Sequence, residues 1–260
     1  MKQFLHVTAG LFILTGCTTV PETGRSSLNF ISVGKELQLG ISEFEKMKSQ
    51  APISSDPVLT GRLERVGNRI ATAVGDDLPS AEWEFVLFDA PDMINAFALP
   101  GGKVGVYTGI LDIATTDDEL ATVIGHEIAH VTARHGSERM SQVMVAAGLG
   151  VLLNVALSDE KNRDAYTAAY GAASAYALAI PFSQGHELEA DEIGVIYAAR
   201  AGYNPEAAIE FWMKMSLVKG GKEPSPFFST HPSDLKRIDK LEAMMPRVKP
   251  LYEQNKGRFQ

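Results

Sequence analysis

Cysteine is almost absent from this chain, since Cys17 is the only one among its 260 residues. A single cysteine excludes an intramolecular disulfide, a cysteine-based zinc site and an iron–sulfur cluster. Positive charge is also in the minority, with 24 Lys and Arg against 32 Asp and Glu and a net charge of −8. Because the sequence has no run of basic residues to bind phosphates, we expect no nucleic-acid partner. Its apolar runs are shorter than the ~20 residues that span a bilayer as a helix.

The first 16 residues have the pattern of a secretory signal peptide. Lys2 precedes a short apolar run, and Leu14-Thr15-Gly16-Cys17 resembles the lipobox of bacterial lipoproteins. The resemblance implies cleavage before Cys17, lipidation of Cys17 and, from Thr18, attachment to the periplasmic face of a Gram-negative outer membrane. Residues 17–31 are polar and turn-rich, and we interpret them as a lipidated tether. The alternative is a buried N-terminal helix with an incidental cysteine.

The chain has enough apolar residues, 45%, to exclude global disorder. Apolar spacing predicts helices over residues 32–48 and 58–74. Alternation around Phe85 predicts a strand, and Pro100-Gly101-Gly102 predicts the turn of a hairpin. The sequence after residue 116 is predicted to be mostly helical. Early strands followed by helices indicate an α+β fold, mainly helical, with a small β-sheet.

We assign residues 32–246 to one domain and residues 247–260 to a loosely held C-terminal tail. Within the domain, residues 143–180 are apolar and rich in Ala and Tyr. They are too short to span a membrane and are predicted to form a helical hairpin packed on the domain. The alternative is a flap or membrane-contacting element beside an active site.

The motif H-E-x-x-H occurs at His126-Glu127-Ile128-Ala129-His130. Thr116 and Glu119 form the pattern of a capping box, which places the motif inside a helix. Two histidines four residues apart lie on one side of a helix and can chelate one Zn²⁺. Glu127 lies beside them and can accept a proton from bound water, whose pKa the metal lowers to about 7.

A catalytic zinc ion requires a third protein ligand. The downstream candidates are His135, His186, Glu187, Glu189, Asp191, Glu192 and His231. Glu187 and Asp191 begin a small, apolar stripe of a predicted helix, where a metal would compensate Glu187 and an imidazole N–H would compensate Asp191. Periodicity does not exclude Glu189, and a solvated acidic helix start is the alternative. His135 and His186 are interpreted as surface residues without a role.

The motif at 126–130, followed by Glu187-Leu188-Glu189-Ala190-Asp191, resembles the zincin-type metallopeptidase family of HtpX and the CAAX prenyl endopeptidase. The likeness is to its periplasmic, LoiP-like and BepA-like members, and the family belongs to the gluzincins. The resemblance implies one Zn²⁺ per chain, held by His126, His130 and Glu187. It also implies that Glu127 is the general base and that Asp191 supports a ligating imidazole.

Two further segments are similar to the same family. Asn95, Ala96 and Phe97 begin the strand before the active-site helix, and the resemblance implies that this strand binds an extended substrate. The alternative is an ordinary hairpin. Thr230-His231-Pro232 is similar to a C-terminal motif, which implies that His231 is a fourth zinc ligand or a donor to the developing oxyanion. The alternative is a turn histidine before a helix.

The sequence therefore predicts a lipid-anchored zinc endopeptidase of the bacterial envelope. By resemblance, its substrates and partners are misfolded or misassembled envelope proteins, and its role is quality control. A second hypothesis is a chaperone-like assembly factor, in which four protein ligands close a mainly structural zinc site. A third is a zinc hydrolase that acts on non-peptide substrates.

Overall fold

The computed structural model describes residues 17–79, 81–156, 164, 168, 183–219, 227, 229, 231 and 235–258. The expected signal peptide, residues 1–16, and most of residues 157–180 lie outside these ranges. The chain divides into two compact units, one from residues 1–32 and 134–180 and the other from residues 33–133 and 181–260. The domain predicted over 32–246 therefore contributes residues to both units. No helix of the described residues is both long and apolar enough to cross a membrane.

The first unit contains a hairpin where a tether was expected. Strand β1 (Cys17–Thr19) pairs antiparallel with β2 (Ser26–Leu28). The hairpin contacts helix α4 (His135–Ala156) within this unit. Arg25 donates two hydrogen bonds, of 2.8 and 2.7 Å, to the carboxylate of Glu138 on that helix. The turn-rich residues between the two strands therefore close a hairpin that a partly buried ion pair holds against α4, and the interpretation of residues 17–31 as a lipidated tether stays a prediction. Cys17 itself is exposed.

The second unit begins with helices α1 (Val33–Gln50) and α2 (Pro57–Val74), which confirm the two predicted early helices. Its sheet has the order β3–β5–β4, with β3 (Glu84–Phe88) parallel to β5 (Lys103–Tyr107) and β4 (Ala96–Leu99) antiparallel to it. The predicted hairpin is thus confirmed, and β4 is an edge strand. Strand β3 does not alternate as expected: its last four residues are all buried, because both faces of the strand are covered.

Helix α3 (Asp117–Thr132) carries the H-E-x-x-H motif and begins with the predicted capping box of Thr116 and Glu119. It packs against helix α5 (Gln184–Arg200). The two helices cross where Gly125 faces Gly194, and a Cβ atom on Gly194 would lie only 2.7 Å from the backbone nitrogen of His126. The absence of side chains at both positions lets the two backbones approach closely.

Helices α6 (Ala207–Lys219) and α7 (Leu235–Asn255) complete the second unit. Helix α7 continues through Pro246 and Pro250, so the prediction of a loose tail over 247–260 is wrong as far as Asn255. Val248 is fully buried and Lys249 pairs with Glu206 at 2.6 Å. This packing offsets the backbone hydrogen bonds that the two prolines cannot donate.

Candidate metal centre

The H-E-x-x-H motif places two imidazoles side by side in the protein interior. His126 and His130 are 3% and 5% exposed, and their Nε2 atoms lie 3.1 Å apart. Their four-residue spacing brings them to one side of α3, as the helical repeat dictates. The two nitrogens therefore face a common point.

Helix α5 brings a carboxylate to the same point. Glu187 is fully buried, with Oε2 3.4 Å from Nε2 of His126 and Oε1 3.4 Å from Nε2 of His130. The Nδ1 atom of His231 lies 3.3 Å from Nε2 of His126 and 3.2 Å from Oε1 of Glu187. The structure thus brings together the three ligands that the resemblance implies and, in addition, His231.

The spacing of these four side chains fits a single four-coordinate divalent metal ion. Ligands at 2.0–2.1 Å from a tetrahedral ion are separated by about 3.3–3.4 Å, the edge of the tetrahedron. The distances between the ligand atoms are 3.1–3.4 Å, within 4.8 Å for all four residues. Three imidazoles and one carboxylate are also a donor set that suits such an ion.

Charged groups around the ligands set their protonation. Burial opposes protonation of His126, but hydrogen bonds to Asp191 and Glu187 outweigh it and raise the pKa of His126 to about 9. Burial likewise opposes ionisation of Glu187, but hydrogen bonds from three imidazoles hold its pKa far below the ordinary value. Burial lowers the pKa of His130 well below its usual range.

Asp191 lies one helical turn after Glu187 and contacts the other nitrogen of His126. Its Oδ1 atom is 3.0 Å from Nδ1 of His126, the placement that the predicted stripe implies. A carboxylate in this place fixes the ring orientation and leaves Nε2 for a metal. Burial opposes ionisation of Asp191, but Arg237 outweighs it and lowers the pKa.

Glu127 is buried beside the ligand cluster and is not part of it. Its Oε1 atom accepts no hydrogen bond from the described residues, and Nε2 of His231 lies 3.5 Å away. Burial raises the pKa of Glu127. A buried carboxylate oxygen of this kind is suited to receive a proton from a small polar molecule, since no protein donor satisfies it.

The other candidate ligands lie elsewhere. His135 and His186 are 0% and 7% exposed, so the interpretation as surface residues is wrong, but neither belongs to the cluster. Glu189 is buried without joining the cluster, and Glu192 pairs with Lys240 and Arg247 at the surface. The four-residue group is the metal-binding arrangement found within the described ranges.

The predicted substrate strand β4 is an edge strand of the sheet and packs against the motif helix. Asn95 accepts a hydrogen bond from Tyr107 through its carbonyl, so by the alternation of an antiparallel ladder Phe97 also faces β5. The backbone groups of Ala96 and Ala98 then point outward, although the side chain of Asn95 accepts from the N–H of Ala96. The ring of Phe97 packs in the aromatic core, which leaves the backbone of β4 for pairing.

The sequence patterns assigned no functional role to Arg237 or Trp212. Trp212 is buried, and the centroid of its ring lies 3.5 Å from the guanidinium carbon of Arg237. Arg237 is 1% exposed and pairs with both Asp191 and Glu187. The one available signal was the position of Arg237, six residues after His231 in the C-terminal motif.

A helix with H-E-x-x-H whose imidazoles meet the carboxylate of a later helix defines a zincin-like metallopeptidase domain. The profile of Peptidase family M48 matches residues 57–245, and the chain belongs to this family. It is therefore a metalloendopeptidase.

Curated relatives come from two settings. The chain is 30% identical to the mitochondrial metalloendopeptidase OMA1 of Saccharomyces cerevisiae, over 94% of this chain and 74% of the relative. It is 32% identical to OMA1 of Schizosaccharomyces pombe, over 92% and 69%. It is 29% identical to the beta-barrel assembly-enhancing protease of Escherichia coli, over 93% of this chain and half of the relative.

Proposed function

We propose that the metal is Zn²⁺, one per chain, and that the enzyme cleaves misfolded or misassembled proteins of the bacterial envelope. The single observation that carries the zinc assignment is the tetrahedral spacing of His126, His130, Glu187 and His231. When bound there, zinc supplies Lewis acidity to water and to the scissile carbonyl.

The protein's own side chains then divide the reaction between them. Glu127 accepts a proton from the attacking water through its unsatisfied Oε1 and delivers it to the leaving amine nitrogen as the C–N bond breaks. Asp191 holds the ring of His126 in place. His231 lies between the ligand cluster and Glu127, with Nδ1 3.3 Å from Nε2 of His126 and Nε2 3.5 Å from Oε1 of Glu127, so its imidazole would complete the ligand set or donate to the oxyanion that develops on the carbonyl.

Substrate is proposed to bind as an added strand on β4. Ala96 and Ala98 offer the outward backbone groups of this edge, with Asn95 and Phe97 fixing the strand from the other side. Pairing through the main chain requires an extended segment of substrate and selects only weakly among its side chains. Unfolded chains supply such segments, which supports a role in quality control.

The cellular location is proposed from the N-terminus. The lipobox-like sequence before Cys17 and the exposure of Cys17 support a lipid anchor at the periplasmic face of the outer membrane. Similarity to the beta-barrel assembly-enhancing protease supports an envelope setting. The LoiP-like assignment rests on the same lipobox pattern.

A second candidate function is a chaperone-like envelope assembly factor with a mainly structural zinc ion. It is favoured by one observation: His231 completes a set of four protein ligands. Four protein ligands are typical of a structural site, whereas a catalytic site keeps one position for water.

The substitution Glu127→Gln separates the two functions. We expect cleavage of unfolded casein to fall by about 10²–10⁴-fold, because the base is lost, while bound zinc stays at one ion per chain. The control is Glu192→Gln, which removes a surface carboxylate on α5. Cleavage by Glu127→Gln at the wild-type rate would contradict the mechanism, and full complementation of a deletion strain by the inactive variant would favour the assembly factor.

A further inference from the structure

Arg237 joins two buried carboxylates of the metal centre through one guanidinium group. Its Nε and Nη2 atoms donate to the two oxygens of Asp191 at 2.6 and 2.7 Å, and its Nη1 lies 2.8 Å from Oε2 of Glu187. Glu187 and Asp191 are one turn apart on α5, while Arg237 comes from α7. All three side chains are almost completely buried, so the two negative charges depend on this cation for compensation.

Both oxygens of Glu187 face the ligand nitrogens. Oε2 receives the short ion pair from Arg237 and also lies 3.4 Å from Nε2 of His126 and 3.3 Å from Nδ1 of His231. Oε1 lies 3.4 Å from Nε2 of His130 and 3.2 Å from Nδ1 of His231. Because Arg237 binds a carboxylate that faces all three imidazoles, the guanidinium group sets the orientation of Glu187 toward the ligand cluster.

Trp212 fixes the plane of the fork. The guanidinium carbon of Arg237 lies 3.5 Å from the centroid of the Trp212 ring, and the arginine is shielded from water on all sides. Arginine stacks on aromatic faces with its hydrogen-bonding edge left free. The Nη2 atom is nearly equidistant from Nδ1 and Nε2 of His126, at 3.3 and 3.4 Å, so it is directed along the lone pair of neither nitrogen.

We propose that Arg237 is a positioning residue of the metal centre: stacked on Trp212, it orients the carboxylate of Glu187 toward the three imidazoles and holds Asp191 against His126. This inference rests on the proposed zinc site but does not require that the substrate be a misfolded envelope protein. Arg237 would thus orient the metal ligands without being a ligand itself.

The substitution Arg237→Lys tests this proposal, because lysine keeps the positive charge and loses the planar fork. A single ammonium group cannot satisfy both carboxylates in the same geometry. In the full-length protein we expect zinc affinity, measured by competition with a chromogenic chelator, to fall by about 10- to 100-fold. We also expect the visible absorption of the Co²⁺-substituted variant to change, since Glu187 and His126 are then held less firmly and the arrangement of the ligands shifts.

The matched control is Arg247→Lys, the same change on the same helix, at an exposed arginine that pairs with Glu192. It should keep wild-type zinc affinity and the wild-type cobalt spectrum. A folded Arg237→Lys variant with unchanged affinity and an unchanged spectrum would overturn the proposal.

Trp212→Leu covers the case in which Arg237→Lys does not fold. This variant keeps the arginine but removes its aromatic support, and we expect a loss of zinc affinity of about threefold or more, with the same spectral change. Wild-type affinity and spectrum in this variant would contradict the proposal. Failure of the proposed function would give a different result. The wild-type protein would cleave no unfolded protein, while its zinc affinity would still depend on Arg237.

Discussion

The aromatic cluster at the sheet and the metal centre are both buried in the second unit, but they are stabilised in opposite ways. The aromatic cluster consists of Phe44, Val86 and Phe88 with five partly buried neighbours, and it excludes water with apolar surface. The metal centre places Glu187, Asp191 and Arg237 in the interior together with three imidazoles. Burial of apolar surface stabilises the aromatic cluster, whereas the metal centre must compensate the free-energy cost of burying charge.

We therefore expect substitutions in the aromatic cluster to lower folding stability and substitutions in the metal centre to weaken metal binding. Removing an apolar side chain leaves a cavity and lowers the free energy of unfolding, with no direct effect on ligands that lie elsewhere. Removing a ligand changes the coupling between metal binding and folding. Each substitution below tests whether the two regions are as independent as their composition indicates.

Phe44→Ala should give the largest loss of stability. Phe44 is fully buried and its ring meets that of Phe97 edge-on at 6.2 Å. We expect the free energy of unfolding to fall by about 3–5 kcal/mol, measured by urea denaturation, while zinc affinity stays within a few-fold of wild type. Val58→Ala, at a residue that is 76% exposed, is the control and should change little. A parallel loss of zinc affinity in Phe44→Ala would show that the two regions are coupled.

Glu187→Gln should remove the stabilisation that zinc gives. At a zinc concentration about 1,000 times the dissociation constant, binding stabilises the folded state by about 4 kcal/mol. The midpoint temperature of thermal unfolding should therefore be higher with zinc than with a chelator in the wild-type protein. In Glu187→Gln the two temperatures should coincide. Glu189→Gln, at a buried carboxylate two residues further along α5, is the control and should keep the difference. The reverse result would make Glu189 the ligand.

Local patterns predicted much of this site, because the residues involved are neighbours along one helix. The capping box of Thr116 and Glu119 predicted the start of α3, and the four-residue spacing of His126 and His130 predicted that both lie on one side of that helix. The stripe of Glu187 and Asp191 on α5 is likewise a property of one helix. Each of these interactions spans a few residues, which sequence periodicity records directly.

Contacts between distant segments were beyond such reasoning. Arg237 is 46 residues from Asp191, and its position six residues after His231 does not indicate which carboxylates it pairs with. At the start of the predicted tail, Val248 continues the helical spacing of Leu241, Met244 and Met245, and this buried packing keeps α7 helical through Pro246 and Pro250. The hairpin at 17–31 depends on Glu138, more than a hundred residues away.

Gly194→Ala should have the smallest effect on stability, and it should change both stability and zinc binding through the packing of two helices. A Cβ atom there would lie 2.7 Å from the nitrogen of His126 and 2.8 Å from the carbonyl carbon of Gly125, and backbone atoms cannot rotate away. We expect a loss of about 1–3 kcal/mol by urea denaturation, with weaker zinc binding, because α5 must move away from α3 and carry Glu187 with it. Gly61→Ala in α2 makes the same chemical change with no atom within 4 Å, so it should gain about 0.5–1 kcal/mol from helix propensity alone. If both alanine variants were equally stable and bound zinc equally well, the glycine crossing would not set the distance between the two ligand-bearing helices.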